Sequence, residues 1–167
     1  MEPSSTSLAI NNWRVISLLV MVLAGLALML VVLLSDRSHA PQISASQIQQ
    51  LQSDESQQDR FVIIDVRSKA ETDVSMIPGA LTKSEFEQSA SQHQGKTLIV
   101  YCTIGFRSGK YAASLNQQGW RALNYKGSIL DWCKNKLPLK TPDGKSTAQV
   151  HTYSARYSAP QDYIGVR

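Results

Sequence analysis

Cys102-Thr103-Ile104-Gly105-Phe106-Arg107-Ser108-Gly109 decides how this chain is read, because of what stands on either side of it. Before it runs Thr97-Leu98-Ile99-Val100-Tyr101, a continuous β-favouring apolar stretch of the kind that is buried on both faces of a parallel sheet. After it runs Lys110 to Gln118, which predicts a helix stopped by Gly119. Ala122-Leu123-Asn124-Tyr125 is a weaker strand signal, so strand, helix and strand make one βαβ unit. A cysteine is thereby delivered from a buried strand to the start of a helix. The N–H groups of a first helical turn lack intrahelical partners and carry about half a positive charge. An anion is stabilised there.

Further out, Phe61-Val62-Ile63-Ile64-Asp65-Val66-Arg67 is a second apolar run that ends in charge, as a buried strand pointing at a site would. Met76-Ile77-Pro78-Gly79-Ala80 is turn-like, and Lys83 to His93 predicts a helix. Ser128 is placed to cap a helix through Ile129, Leu130, Trp132 and Cys133 that ends near Pro138. Upstream, Ile43, Ile48 and Leu51 share one face of a short helix with Ser44 or Ser46 as its cap. Strands alternating with helices predict an α/β domain of about 100 residues around a central parallel sheet. Its ligands belong beyond the carboxyl ends of the strands.

Chemistry follows from that placement. Gly105 and Gly109 let the backbone curl so that successive amides point inward as an anion nest, and Arg107 adds a permanent cation. Such surroundings lower a thiol pKa and raise the thiolate fraction of Cys102, and the same cradle would hold a persulfide or an oxyanion. The competing reading is a small buried hydrophobe closing a core strand. Asp65 and Arg67, at the end of the neighbouring strand, either orient Arg107 or the substrate, or form a structural salt bridge. Lys110 reaches the anion or solvent. Cys133, beside Trp132, is read as structural rather than as a resolving thiol.

With these pieces in place, residues 43–139 resemble the rhodanese family. The matching landmarks are Asp65-Val66-Arg67, Ile77-Pro78-Gly79-Ala80, the Cys102-to-Arg107 loop with Ser108, and Lys126-Gly127-Ser128 with Trp132, in the family's order and spacing. The resemblance implies a three-layer rhodanese-like domain, placed at 43–140, and a sulfurtransferase of the thiosulfate type. Cys102 would attack a sulfane sulfur donor and carry the sulfur as a persulfide. Thr103, Ile104, Gly105, Phe106, Arg107 and Ser108 would hold the anionic sulfur, with Asp65 and Arg67 in support. A thiol, cyanide or protein acceptor would then take the outer sulfur in a second displacement. Cysteine-dependent phosphatases of related fold carry a longer loop between Cys and Arg; here only Thr103 to Phe106 intervene, which favours sulfur over phosphate. The chain departs from the family at Ser75-Met76, where Gly-His is common, and at Glu71-Thr72-Asp73, where an acidic-aromatic pair is usual. Those positions are expected to shape the fold's edge more than the nucleophile. Phe106 puts a bulky ring at the site mouth. The second function class is a non-enzymatic, membrane-tethered module that binds a partner or senses redox state through the same cradle.

The rest of the composition narrows the field. A net charge of +4 comes from scattered Lys and Arg, without the clustered stripe or stacking platform that nucleic acid requires. The two cysteines and the separated His39, His93 and His151 make no metal-ligand pattern, so neither metal nor cofactor is implied.

Val15 to Leu34 is about 20 residues without charge, long enough to cross a bilayer as a helix. Trp13 and Arg14 on one side, with Asp36 and Arg37 on the other, would lie at the interfaces. A cleaved signal is the alternative, with Ser38-His39-Ala40 as its small-residue site. The apolar run exceeds the usual ~7–15 residues of a signal core, and Pro41 would begin the mature chain, so a single-pass anchor is expected. Residues 1–14 form a short lead-in and 35–42 a linker. The flanking charges leave the topology open; a persulfide is easier to keep in a reducing space, which points the domain toward the cytoplasm. Residues 141–167, rich in Ser and Thr and without apolar periodicity, read as an extended or partly disordered tail.

Overall fold

The computed structural model describes residues 5–35 and 39–167, and side chains in 13–30 and 39–167. Its two compact units divide between Ser38 and His39. The first is one helix, α1 (Ser5–Ser35), that begins before the expected apolar span. Trp13–Leu30 within it is long and apolar enough to cross a membrane, and its side chains are exposed. Ser17, the polar side chain in the apolar run that starts at Val15, donates to the Trp13 carbonyl at 2.9 Å, so its hydroxyl is satisfied within the helix. Asp36, Arg37 and Ser38 lie outside the described residues.

The second unit opens with α2 (Ala45–Ser53), where Ser44 and Gln47 form a reciprocal capping box and Ile48 is fully buried. A 3-10 turn, Glu55–Arg60, leads into β1 (Phe61–Asp65). Then follow α3 (Lys69–Val74), β2 (Ala80–Thr82), α4 (Lys83–Ser89) and β3 (Thr97–Tyr101). Beyond these come α5 (Phe106–Gln117), β4 (Arg121–Asn124) and α6 (Ser128–Lys134). The strands form one parallel sheet in the order β2-β1-β3-β4, with Ile63 opposite Ile99 and Asp65 opposite Tyr101. This is the α/β architecture with a central parallel sheet that the strand–helix alternation predicts.

Successive side chains on a strand face opposite ways, so each central strand feeds two cores. Ile63, Ile99 and Tyr101 pack with α2 and α6 through Ile48, Ile129 and Trp132. Val62, Ile64, Leu98 and Val100 pack with α4 and α5 through Phe86, Ala112 and Leu115. Each such large apolar side chain, fully buried, stabilises the fold by about 1.5–3 kcal/mol. The result is a helix–sheet–helix sandwich in which β3 lies between two partners, and Cys102 leaves its carboxyl end.

Two local expectations change. α5 begins at Phe106 rather than Lys110, because Gly105 takes φ 92° and turns the chain straight from the cysteine loop into the helix. Arg107 and Ser108 thus belong to the first helical turn. Ser128 is the first residue of α6 rather than its cap: its φ is 57°, and its hydroxyl is used elsewhere, accepting the Cys102 N–H at 3.0 Å.

The C-terminal stretch, read as extended or partly disordered, is folded. β5 (Leu139–Lys140) pairs antiparallel with β6 (Ser146–Thr147), and β7 (Gln149–His151) pairs parallel with β8 (Ile164–Val166). Val150 is fully buried in the core, and the Tyr163 hydroxyl donates to the Leu137 carbonyl at 2.5 Å. Single anchors spaced far apart hold this segment, and a search for periodicity does not see them.

Candidate functional site

The cysteine loop sits where β3 ends, enclosed by α3, by the turn before α6 and by the first turn of α5. The Gly105 N–H donates to Cys102 Sγ at 3.2 Å, and the Ser108 hydroxyl lies 3.6 Å from the same sulfur. Ser108 also donates to Asn124 Oδ1 at 2.7 Å, while Asn124 Nδ2 donates to the Gly105 carbonyl at 3.3 Å. One side chain at the end of β4 therefore fixes both a hydroxyl and a main-chain turn beside the sulfur. Ser128 completes the cage: its hydroxyl donates to the Tyr125 carbonyl at 2.9 Å and stands 3.9 Å from Sγ. The N–H groups of Ile129 and Leu130 cap the carbonyls of Cys102 and Thr103.

Burial opposes ionisation of Cys102, but the main-chain N–H and hydroxyl of Ser108 and the N–H groups of Ile104 and Gly105 outweigh it, and the thiol pKa falls below its ordinary value. Cys133 shows the contrast. Burial pushes its thiol up to about 12, only partly offset by the charge of Arg67. The two thiols are thus shifted in opposite directions, and Cys133 is a core side chain.

Arg107 is the most rearranged of the expected site residues. Its two terminal nitrogens make a bidentate pair with Glu71, each at 2.7 Å, and Nη2 also donates to Thr103 Oγ1 at 2.9 Å. The bonds to Glu71 raise its pKa, against burial, and the nearby Cys102 raises it further. Glu71 is 1 % exposed. Burial raises its pKa, yet the bonds from Arg107, from the Ser68 N–H and hydroxyl, and from the Thr103 hydroxyl bring it down to about 2. Glu71 is therefore a fixed anion that ties α3 to the cysteine loop, and the expectation that this stretch shapes the fold's edge more than the nucleophile's surroundings is corrected. A signal for it exists in the sequence: Ser68-Lys69-Ala70-Glu71 is a capping box, which pins Glu71 at the first turn of α3.

Asp65 and Arg67 form a fully buried ion pair at 2.7 Å, and Arg67 Nη2 donates onward to the Ser75 carbonyl at 2.5 Å. The guanidinium lies 5.8 Å from the centre of the Tyr101 ring. Those bonds join β1 to the turn before β2 and do not involve Arg107. Lys110 lies over the Phe106 ring at 4.5 Å, in solvent.

Cys102 is 1 % exposed and lies at the foot of a cleft of about 330 Å³ lined by Thr103, Ile104, Phe106, Arg107, Tyr153 and Tyr157. Ile104 and Phe106 project outward at its rim, whereas Thr103, Gly105 and Ser108 are buried beneath it. Tyr153 and Tyr157, from the C-terminal segment, carry no motif that marks them in the sequence. A larger cleft of about 1050 Å³ along β2 does not reach Cys102. Among the described residues no group of His, Cys, Asp and Glu could hold a metal ion.

The profile of the rhodanese-like domain matches residues 44–135, more than half of the chain. The chain belongs to the rhodanese-like domain family. A sulfurtransferase of Allochromatium vinosum is 33 % identical over 87 residues, which cover 50 % of this chain and 81 % of that protein. Among solved structures, a Bacillus halodurans protein, BH2092, aligns with a TM-score of 0.53 and 21 % identity over 63 % of this chain and 80 % of that one. A thiosulfate sulfurtransferase from Pseudomonas aeruginosa aligns with a TM-score of 0.53 and 16 % identity over 61 % of this chain and 19 % of that one. At those identities the structural likeness establishes the rhodanese-like fold. The rhodanese-like match ends before Tyr153 and Tyr157.

Proposed function

We propose that this rhodanese-like chain is a sulfurtransferase that moves sulfane sulfur from a donor such as thiosulfate to a thiophilic acceptor through a Cys102 persulfide. The observation that carries this reading is the sulfur of Cys102 at the foot of a cleft, with the Gly105 N–H at 3.2 Å and its pKa lowered. The sulfurtransferase of Allochromatium vinosum, matched over most of its length, supports the same class of reaction.

In the first displacement the Cys102 thiolate attacks the outer sulfur of thiosulfate. The new S–S bond forms as the old one breaks, and its electron pair leaves with sulfite. In the second, a thiol, cyanide or a protein acceptor attacks the outer sulfur of the persulfide, and the Cys102 thiolate is the leaving group. The outer sulfur extends about 2 Å beyond Sγ, so a buried thiol still presents its cargo to the cleft. Main-chain donors already in place cost no reorganisation when that charge arrives.

The test is to incubate the purified chain with thiosulfate and map the product by mass spectrometry. One added sulfur on the Cys102 peptide, discharged by cyanide and absent from the Cys133 peptide, is expected. If no sulfane donor adds sulfur to Cys102, the reading fails and the non-enzymatic binding module takes its place.

Residues 15–34 serve, in this reading, as a single-pass anchor for a catalytic domain whose rhodanese-like part spans 43–140 and whose fold continues through the C-terminal segment that lines the cleft. In sealed membranes with a known side exposed, added protease should digest the domain from the cytoplasmic face. Protection there, with digestion from the other face, would reverse the orientation.

A further inference from the structure

Large apolar side chains that stay exposed are scarce in residues 39–167, and they are not scattered. Phe106 (66 % exposed), Tyr153 (59 %) and Ile104 (41 %) all stand at the Cys102 cleft, and Ile164 is the other. Rings and a branched chain kept in water around a buried nucleophile mark a surface that something apolar covers. The C-terminal segment is held in place to supply its share. Val150 and Thr152 are buried, the Thr152 N–H donates to the Val166 carbonyl at 3.1 Å, and the Tyr153 N–H donates to His151 Nδ1 at 3.0 Å. Between these anchors Tyr153 adopts φ 66°, a left-handed conformation that an L residue keeps only when its surroundings impose it. Its ring lies 4.9 Å from the Arg107 guanidinium carbon.

The guanidinium beside the sulfur is already committed to a carboxylate. Glu71 neutralises Arg107 through both of its terminal nitrogens, and Lys110 Nζ rests on the outer ring, Phe106. A compact inorganic dianion has no apolar body to bury against Ile104, Phe106 and Tyr153. A compound with one anionic sulfur and an apolar body gains the main-chain donors at its head and the rings along its side. The cleft, at about 330 Å³, has the size of a small-molecule site rather than of a protein interface.

We propose that Tyr153, with Phe106, Ile104 and Tyr157, forms a specificity wall that selects a small organic sulfane-sulfur donor, an alkyl or aryl thiosulfonate or persulfide, over thiosulfate. The proposal rests on the sulfurtransferase reading. With a thiosulfonate the Cys102 thiolate takes the outer sulfur, the sulfur–sulfonyl bond breaks, and its electron pair leaves with the sulfinate.

The experiment compares sulfur loading of Cys102 by benzenethiosulfonate and by thiosulfate in the full chain, as kcat/KM from the rate of persulfide formation. The native chain should favour the aryl donor by about tenfold or more, the discrimination that burial of one aromatic ring supplies. Tyr153→Ala and Phe106→Ala should each remove most of that preference by raising KM for the aryl donor, and Tyr153→Phe, which keeps the ring, should retain it. Equal rates with the two donors in the native chain, or a loss in Tyr153→Ala that is the same for both, overturns the wall. Absence of a Cys102 adduct with both donors is a different result, and it removes the sulfurtransferase reading together with the wall.

Discussion

Gly105→Ala should abolish sulfur loading of Cys102 and lower the stability of the domain by about 3 kcal/mol or more, the range for backbone strain combined with a steric clash. Gly105 sits at φ 92°, where a side chain is already strained, and a β-carbon there would stand 2.8 Å from the carbonyl carbon of Lys126 and closer still to its oxygen. Backbone blocks it, so no side chain can swing aside. Lys126 cannot retreat without moving Ser128, whose hydroxyl holds the Cys102 N–H at 3.0 Å. Nor can Gly105 retreat without withdrawing the N–H that stands 3.2 Å from Sγ. Gly119 is the control, since it has φ 90° but a β-carbon there would meet nothing within 4 Å. Gly119→Ala should cost about 1 kcal/mol and leave sulfur loading unchanged. Urea denaturation and mass mapping of the persulfide read both variants. Equal losses in the two would mean that conformational strain alone, and not the close approach of Lys126, makes Gly105 necessary.

The parallel sheet and the place of Cys102 at its edge are legible in the sequence because their signals are local and dense. Leu98 to Tyr101 and Val62 to Asp65 are continuous buried runs, and a cysteine following one of them can only emerge at the carboxyl edge. The start of α5 is not legible in the same way, because the deciding feature, the left-handed turn at Gly105, depends on how closely the loop meets Lys126, and that contact joins parts of the chain far apart in sequence. Glu71 is hidden as a site residue for a related reason. Its capping box is visible, but its partners Thr103 and Arg107 lie 32 and 36 positions away in sequence. Tyr153 and Tyr157 belong to a segment whose order comes from isolated anchors such as Val150 and Tyr163. The cysteine loop can thus be read from one stretch, whereas the side chains that line its cleft require the fold.

Glu71→Gln should weaken both the domain and its nucleophile, and pH separates the two effects. The carboxylate titrates near 2 in the folded chain and near its ordinary ~4.3 when unfolded, so folding is favoured wherever the group is ionised in both states. That contribution, about 3 kcal/mol, is fully present above pH ~5 and is lost as the pH falls through the interval between ~4.3 and 2. The native chain should therefore exceed Glu71→Gln in stability by about that amount at neutral pH, and the gap should narrow steeply in acid. A gap of constant size would show that glutamine merely packs less well. At the active site the sign reverses. Removing the carboxylate leaves the charge of Arg107 uncompensated beside Cys102, which favours the thiolate, so the pH profile of Cys102 alkylation should shift to lower pH. Sulfur transfer should nevertheless fall by about 10- to 100-fold, because glutamine keeps only one of the two acceptor oxygens and turns an NH2 toward the guanidinium and the Thr103 hydroxyl that the carboxylate fixes. A more acidic but slower cysteine would separate the two duties of this ion pair: orienting the loop is what transfer depends on, and the thiolate population is not limiting.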